Sequence, residues 1–260
     1  MIRLIGFFCL FSLTLAGQKP LLPSKHAIKV NALGLAGGLG SIQYERMLHP
    51  QWSVTGTFFG RFKSDVPLGS TLNSLANRYG ESIIGVNFEY IQVDRSQIGL
   101  VGFSPEIRRY FGKKNTRFFL SGFYQYENLD LTVPADLVIQ LNEQFYNSII
   151  PVSFDVKTSS FGLLPGIQFR KGRWGVDWTI LGPRTGHATY LQANAQQSLL
   201  NRLSDEEKQF LIQGVKERFK LSDEYFLVGI EGSNANISAI KRVPYWLVRG
   251  FGVNVSYQLK

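Results

Sequence analysis

The chain has 260 residues, of which 44% are hydrophobic and 18% charged, against about 25% charged in an average soluble domain. The single cysteine, Cys9, lies in the N-terminal apolar run and the three histidines, His26, His49 and His187, are far apart; this excludes a disulfide framework and leaves no local metal motif, so no metal or cofactor is expected. The net charge of +9 is spread thinly, with no Lys/Arg run longer than two residues, and nucleic acid is not an expected partner.

Met1–Gly17 has the pattern of a secretory signal, with Arg3 ahead of the apolar run Leu4–Leu13 and then Thr14-Leu15-Ala16. It is too short before Gln18-Lys19-Pro20 for a membrane helix, which needs about 20 apolar residues. Residues 1–17 are thus expected to be a signal peptide and 18–260 a single domain. No second long apolar stretch follows.

From there the chain alternates with period two, segment after segment, which is an all-β signature. Eight strands are expected: His26–Ala36, Leu39–Leu48, Trp52–Phe62, Ile98–Phe111, Arg117–Glu127, Asp155–Arg170, Trp174–Gly182 and Trp246–Leu259. The first hairpin turns at Gly37-Gly38. The alternative, one long strand over Ala27–Met47, would need Ser82–Val93 as a further strand. A soluble sandwich also alternates. Three features favour a membrane barrel: segments of membrane-crossing length, aromatics near segment ends (Trp52, Phe62, Phe111, Phe118, Tyr126, Phe169, Trp174, Tyr257), and a second face of small and charged residues. Phe119 and Phe123 blur that second face.

Short turns at His49-Pro50-Gln51, Gly112–Thr116 and Lys171-Gly172-Arg173 alternate with long outer loops at Lys63–Gln97, Asn128–Phe154 and Pro183–Tyr245, which puts both termini on the periplasmic side. Within the first long loop Ile83–Val93 reads as a strand continuing above the membrane. The last holds one short helix, Asp205–Phe219, opened by Ser204 with Glu207 three residues on, a capping-box pattern. The expected fold is an eight-stranded antiparallel transmembrane β-barrel.

Its polar face turns Lys29, Asn31, Glu45, Glu106, Arg108, Arg170 and Asp177 into the lumen. An eight-stranded interior is just filled by side chains, and an isolated buried charge costs several kcal/mol. These charges are therefore expected to pair into a plug; an ion path or ligand site is the alternative. An enzyme is not expected. His187 with Ser198 or Ser204 and Asp205 is the one serine–histidine combination that can reach the outer rim, and no Gly-x-Ser-x-Gly elbow accompanies it. Gly172-Arg173-Trp174 mimics the Gly-x-Trp of a soluble lipocalin-like binder but lies two thirds of the way along the chain, and Gly34–Gly40 lacks the lysine of a phosphate loop.

Lys29-Val30-Asn31-Ala32-Leu33, Gln43-Tyr44-Glu45-Arg46, Pro105–Phe111 and Ile180-Leu181-Gly182-Pro183 together resemble an uncharacterised family of small Gram-negative outer-membrane β-barrel proteins, OmpA/OmpX-like in architecture. The resemblance implies an outer-membrane location and lipid contact, and no known activity. Gly252-x-x-Val255-x-Tyr257 resembles the terminal-strand signal read by the barrel assembly machinery, although the chain runs on through Gln258-Leu259-Lys260. The expected role is structural or interactive, with the outer loops open to a protein partner.

Overall fold

The computed structural model describes residues 25–83, 91–112, 115–141 and 144–259; the signal expected over Met1–Gly17 lies outside the described residues. The strands are β1 (His26–Asn31), β2 (Gly40–His49), β3 (Trp52–Asp65), β4 (Gln97–Phe111), β5 (Thr116–Leu141), β6 (Gln144–Lys171), β7 (Trp174–Thr179), β8 (Gly182–Gln196), β9 (Phe226–Glu231), β10 (Asn234–Ala239), β11 (Val243–Arg249) and β12 (Gly252–Gln258). The helices are α1 (Ala32–Ala36), α2 (Gly69–Ile83) and α3 (Asp205–Phe219).

β7 and β8 are two halves of one wall strand, interrupted at Ile180-Leu181, and β11 and β12 are two halves of another, interrupted at Gly250-Phe251. Consecutive strands pair antiparallel from β1 to β7, and β12 joins β7 to β1 over Ala27↔Gln258 to Asn31↔Asn254. The result is a closed barrel of eight wall strands, so no backbone edge is left open through its periplasmic half.

The barrel is inside out. Ile28, Ile42, Phe58, Phe103, Ile107, Leu163 and Trp178 are exposed on the outer face, while Lys29, Gln43, Ser53, Ser104, Arg108, Ser121, Gln168 and Asp177 are buried within. Phe59, Phe119 and Phe123 also point inward, and each lies across a glycine of the next strand: Phe59 on Gly102, Phe119 on Gly166 and Phe123 on Gly162. A Cβ on Gly166 would stand 2.3 Å from Phe119 Cζ, so this approach requires glycine. The rings fill the lumen where a polar side chain would need a partner.

Several expected boundaries are corrected. The first strand stops at Asn31 because the Asn31 side chain accepts from Gly34 N–H at 2.8 Å and caps α1. Gly38, at φ +79°, then reverses the chain into β2. The loop expected over Asn128–Phe154 is instead strand: β5 and β6 pair from Thr116↔Phe169 to Leu141↔Gln144, about 85 Å of ribbon where crossing needs about 10 residues. The loop expected over Pro183–Tyr245 contains the continuation β8, α3, the β9–β10 hairpin and β11. In the first long loop, α2 ends at Ile83 where a strand was expected to begin; 84–90 lie outside the described residues, and Val93–Arg95 is a 3-10 turn. α3 forms over Asp205–Phe219 as expected. Ser204 N–H donates to Glu207 at 2.8 Å, Glu207 N–H donates back to the Ser204 hydroxyl at 3.2 Å, and the bonds from Ser204 hold the Glu207 carboxyl below its usual range.

The long strands change polarity along their length. Up to Tyr126 on β5 and Phe161 on β6 the outer face is apolar; beyond them it carries Asn128, Asp130 and Thr132, and Ser159, Lys157 and Asp155. The inner face changes the other way, to Leu129, Leu131 and Val133 on β5, Val156, Phe154 and Val152 on β6, and Leu191, Ala193 and Ala195 on β8. This switch marks the level at which the wall leaves the bilayer.

Two measurements check this account in a liposome or detergent-micelle unfolding assay. Gly166→Ala is expected to cost about 1–3 kcal/mol through overpacking, with much of the loss recovered when Phe119→Ala is added. Val253→Arg is expected to cost about 2–4 kcal/mol near the bilayer midplane, with Val253→Ala tolerated; equally severe loss from both would instead place Val253 in a packed core.

Candidate functional site: the luminal charge network

Alternation along β1, β2, β4, β6 and β7 turns one charged residue after another toward the same level of the lumen. Lys29, Glu45, Glu106, Arg108 and Asp177 are each at most 3% exposed. At that depth an unpaired charge costs several kcal/mol, and the geometry pairs every one of them.

Asp177 lies at the centre. One carboxylate oxygen receives the Lys29 ammonium and, at 2.9 Å, the Arg108 guanidinium; the other accepts from Gln168 Nε2 at 2.8 Å. Arg108 also donates to Glu106 at 2.8 Å and to Gln43 Oε1 at 3.2 Å, and its guanidinium stacks 4.8 Å from the Phe119 ring centre. Lys29 forms a second ion pair with Glu45 at 2.9 Å. Glu45 accepts in turn from the hydroxyls of Ser53, at 2.6 Å, and Tyr110, and faces Arg170 at 3.6 Å. Glu106 is completed by Arg249 at 3.2 Å. At the periplasmic rim Arg117 donates to Gln168 at 2.7 Å and covers the Tyr110 ring at 4.2 Å.

Of the seven luminal residues expected from the sequence, Lys29, Glu45, Glu106, Arg108, Arg170 and Asp177 meet in this network. Asn31 does not, because its side chain is committed to capping α1. Sequence reasoning missed Tyr110, Arg117, Gln168 and Arg249. Tyr110, Arg117 and Gln168 lie on the same alternating polar face, and that parity was the available signal. Arg249 was hidden by the break at Gly250-Phe251. A second ionic layer above, with Arg184 on Glu127 at 2.9 Å and Thr158 donating to the same carboxylate at 3.2 Å, was also missed.

The residues considered for catalysis are held apart. His187 is exposed on the outer face of β8, in register with Ser159 and Pro244. Ser204 caps α3, Asp205 pairs with Lys208 at 3.6 Å, and Ser198 donates to Gln197. Among the described residues no group of His, Cys, Asp and Glu has metal-binding geometry.

An apolar outer belt around a closed barrel with a polar, ion-paired interior is the arrangement of bacterial outer-membrane barrels; the chain is an outer-membrane β-barrel. Solved structures of similar shape include a major outer membrane protein from Thermus thermophilus, 10% identical over 89% of this chain and 98% of that one with a TM-score of 0.43. Acinetobacter baumannii CarO is 12% identical over 93% and 100% with a TM-score of 0.38. Neisserial surface protein A is 8% identical over 92% and 100% with a TM-score of 0.34. No family model and no curated protein matches the chain, so the family resemblance stands on the motif residues alone.

Asp177→Asn leaves Lys29 and Arg108 short of countercharge and is expected to cost about 3–5 kcal/mol, measured by urea unfolding of the liposome-inserted barrel. Adding Lys29→Met to that variant is expected to recover part of the loss, because the pair is then removed together.

Proposed function

We propose that the protein is a sealed outer-membrane barrel of structural or interactive role, which anchors an outer superstructure and offers it to a protein partner. The observation that carries this reading is the network around Asp177: its cations and carboxylates span the lumen from wall to wall and are bonded to one another rather than lining an open path. A pore of this diameter would need those charges free to exchange with passing ions. The surface offered outward is the β5–β6 ribbon, the β9–β10 hairpin and α3. Insertion by the barrel assembly machinery through Gly252, Val255 and Tyr257 belongs to the same proposal.

The purified protein is expected to migrate differently on gels with and without boiling and to give no steady single-channel current in planar bilayers. Glu106→Gln is expected to lower stability by a few kcal/mol at most, without opening a conductance. Large, steady currents from the unmodified protein would replace this reading with a pore.

A further inference from the structure

The charges of the membrane wall are divided unequally between its two faces. Over residues 25–62, 98–126, 156–182 and 246–259 the acidic residues are Glu45, Glu106 and Asp177, and all three are buried in the lumen. The lipid-facing side of this part of the wall therefore carries no carboxylate side chain. It does carry cations, and they gather at one end: Lys25, Arg46, Arg109 and Arg173 are exposed beside the short periplasmic turns.

Arg46 and Arg109 form a pair on the lipid side, on the strands that flank Trp52. Alternation turns Tyr44 and Arg46 outward on β2, Trp52 and Val54 on β3, and Ile107, Arg109 and Phe111 on β4. Pairing sets Arg46 beside Val54 and Arg109 beside Trp52. Two strand spacings and two residues of rise put the arginine Cα atoms about 12 Å apart, so both side chains can reach one group lying over Val54 and Trp52. The Arg109 guanidinium is 5.6 Å from the Trp52 ring centre and 5.3 Å from that of Phe111. Phe111 is the next outward residue toward the periplasm, so this side chain reaches down to the edge of the apolar belt. The rings take the faces of the guanidinium and leave its N–H edge for an oxyanion. An outward arginine is costly at the bilayer midplane and nearly free at the interface. There, on the lipid side, the oxyanion within reach is the phosphate of a glycerophospholipid. Just above the pair, Gly56 stands in register between Tyr44 and Pro105 and leaves a shallow furrow where an acyl chain can lie.

We propose that Arg46, Trp52 and Arg109 form a binding site for an anionic glycerophospholipid of the periplasmic leaflet. The two guanidiniums bridge its phosphate, and an acyl chain runs up the furrow over Gly56. Selection for a net negative head follows from the division of charge. A zwitterionic head brings an ammonium group, and the outer face of the wall holds no carboxylate to receive it. The site lies on the lipid side of the wall and does not depend on the seal of the lumen: failure of the seal appears as conductance, failure of the site as a change in which lipids stay bound.

The test uses the full chain in nanodiscs of equal parts phosphatidylglycerol and phosphatidylethanolamine with matched acyl chains. Lipids that stay on the released protein are counted by native mass spectrometry. Phosphatidylglycerol is expected to be retained about five- to tenfold over phosphatidylethanolamine, the ratio that one further charge-assisted bond implies. Arg46→Gln and Arg109→Gln are each expected to lower that ratio, and the double variant to bring it to parity. Arg109→Lys, which keeps the charge and loses the planar fork, is expected to fall between. Lys171→Gln, which removes a charge from the turn across the barrel, is expected to leave the ratio unchanged. Each variant is checked for folding by gel mobility before and after boiling. Equal retention of the two lipids by the unmodified protein would overturn the proposal. So would a loss from Lys171→Gln as large as that from Arg109→Gln, which marks diffuse surface charge, or displacement of the lipid by glycerol phosphate, which marks a site for soluble phosphate.

Discussion

Asp177 is the point on which the barrel turns. Its carboxylate is bonded by Lys29 from β1, Arg108 from β4 and Gln168 from β6. Glu45 on β2 extends the same knot to Ser53 on β3 and Tyr110 on β4. These groups are buried, so each charge is held by protein partners, some on its own or the next strand, as with Arg108 on Glu106 and Lys29 on Glu45, and some across the lumen, as with Arg108 on Asp177. Cross-lumen ion pairs of this kind do not add much net stability over an apolar core of the same volume. What they do is fix register: a strand slipped by one residue would turn its charges into lipid and leave its partners unpaired.

The same sheet obeys two solvents. In the bilayer the wall must be closed and apolar outside, because neither an open edge nor a charge is tolerated in hydrocarbon. Above Tyr126 and Phe161 water meets the outer face, and the polarity of the strands reverses within a few residues. Edges become tolerable there, and the wall is free to open into a trough bordered by β9 and β10. Leu200 and Leu203, packed by Leu199, Leu211, Ile230 and Ala235, form a small ordinary core joining the 3-10 turn Ser198–Arg202 and α3 to this trough. The structure is thus a membrane protein below and a water-facing sheet above, built from continuous strands.

Much of this was legible in the residues. Period-two alternation with apolar and aromatic residues on one face and Lys29, Glu45, Arg108 and Asp177 on the other is a local property, so the eight wall strands, the short periplasmic turns and most of the luminal charges follow from the chain itself. The Ser204–Glu207 capping box is equally local, and α3 forms where it stands. What the sequence does not carry is where a strand stops pairing. Beyond Tyr126 and Phe161 the strands are polar outside at Asn128, Asp130, Asp155 and Lys157 and apolar inside at Leu129, Leu131, Phe154 and Val156, the reverse of the membrane pattern, and their strand character depends on β5 and β6 finding each other. β1 ends at Asn31 because a side chain caps a helix there, and β7 breaks at Ile180 without a turn residue. Which carboxylate meets which cation was decided only by closure, because residues from strands distant in sequence become neighbours when the sheet curls on itself.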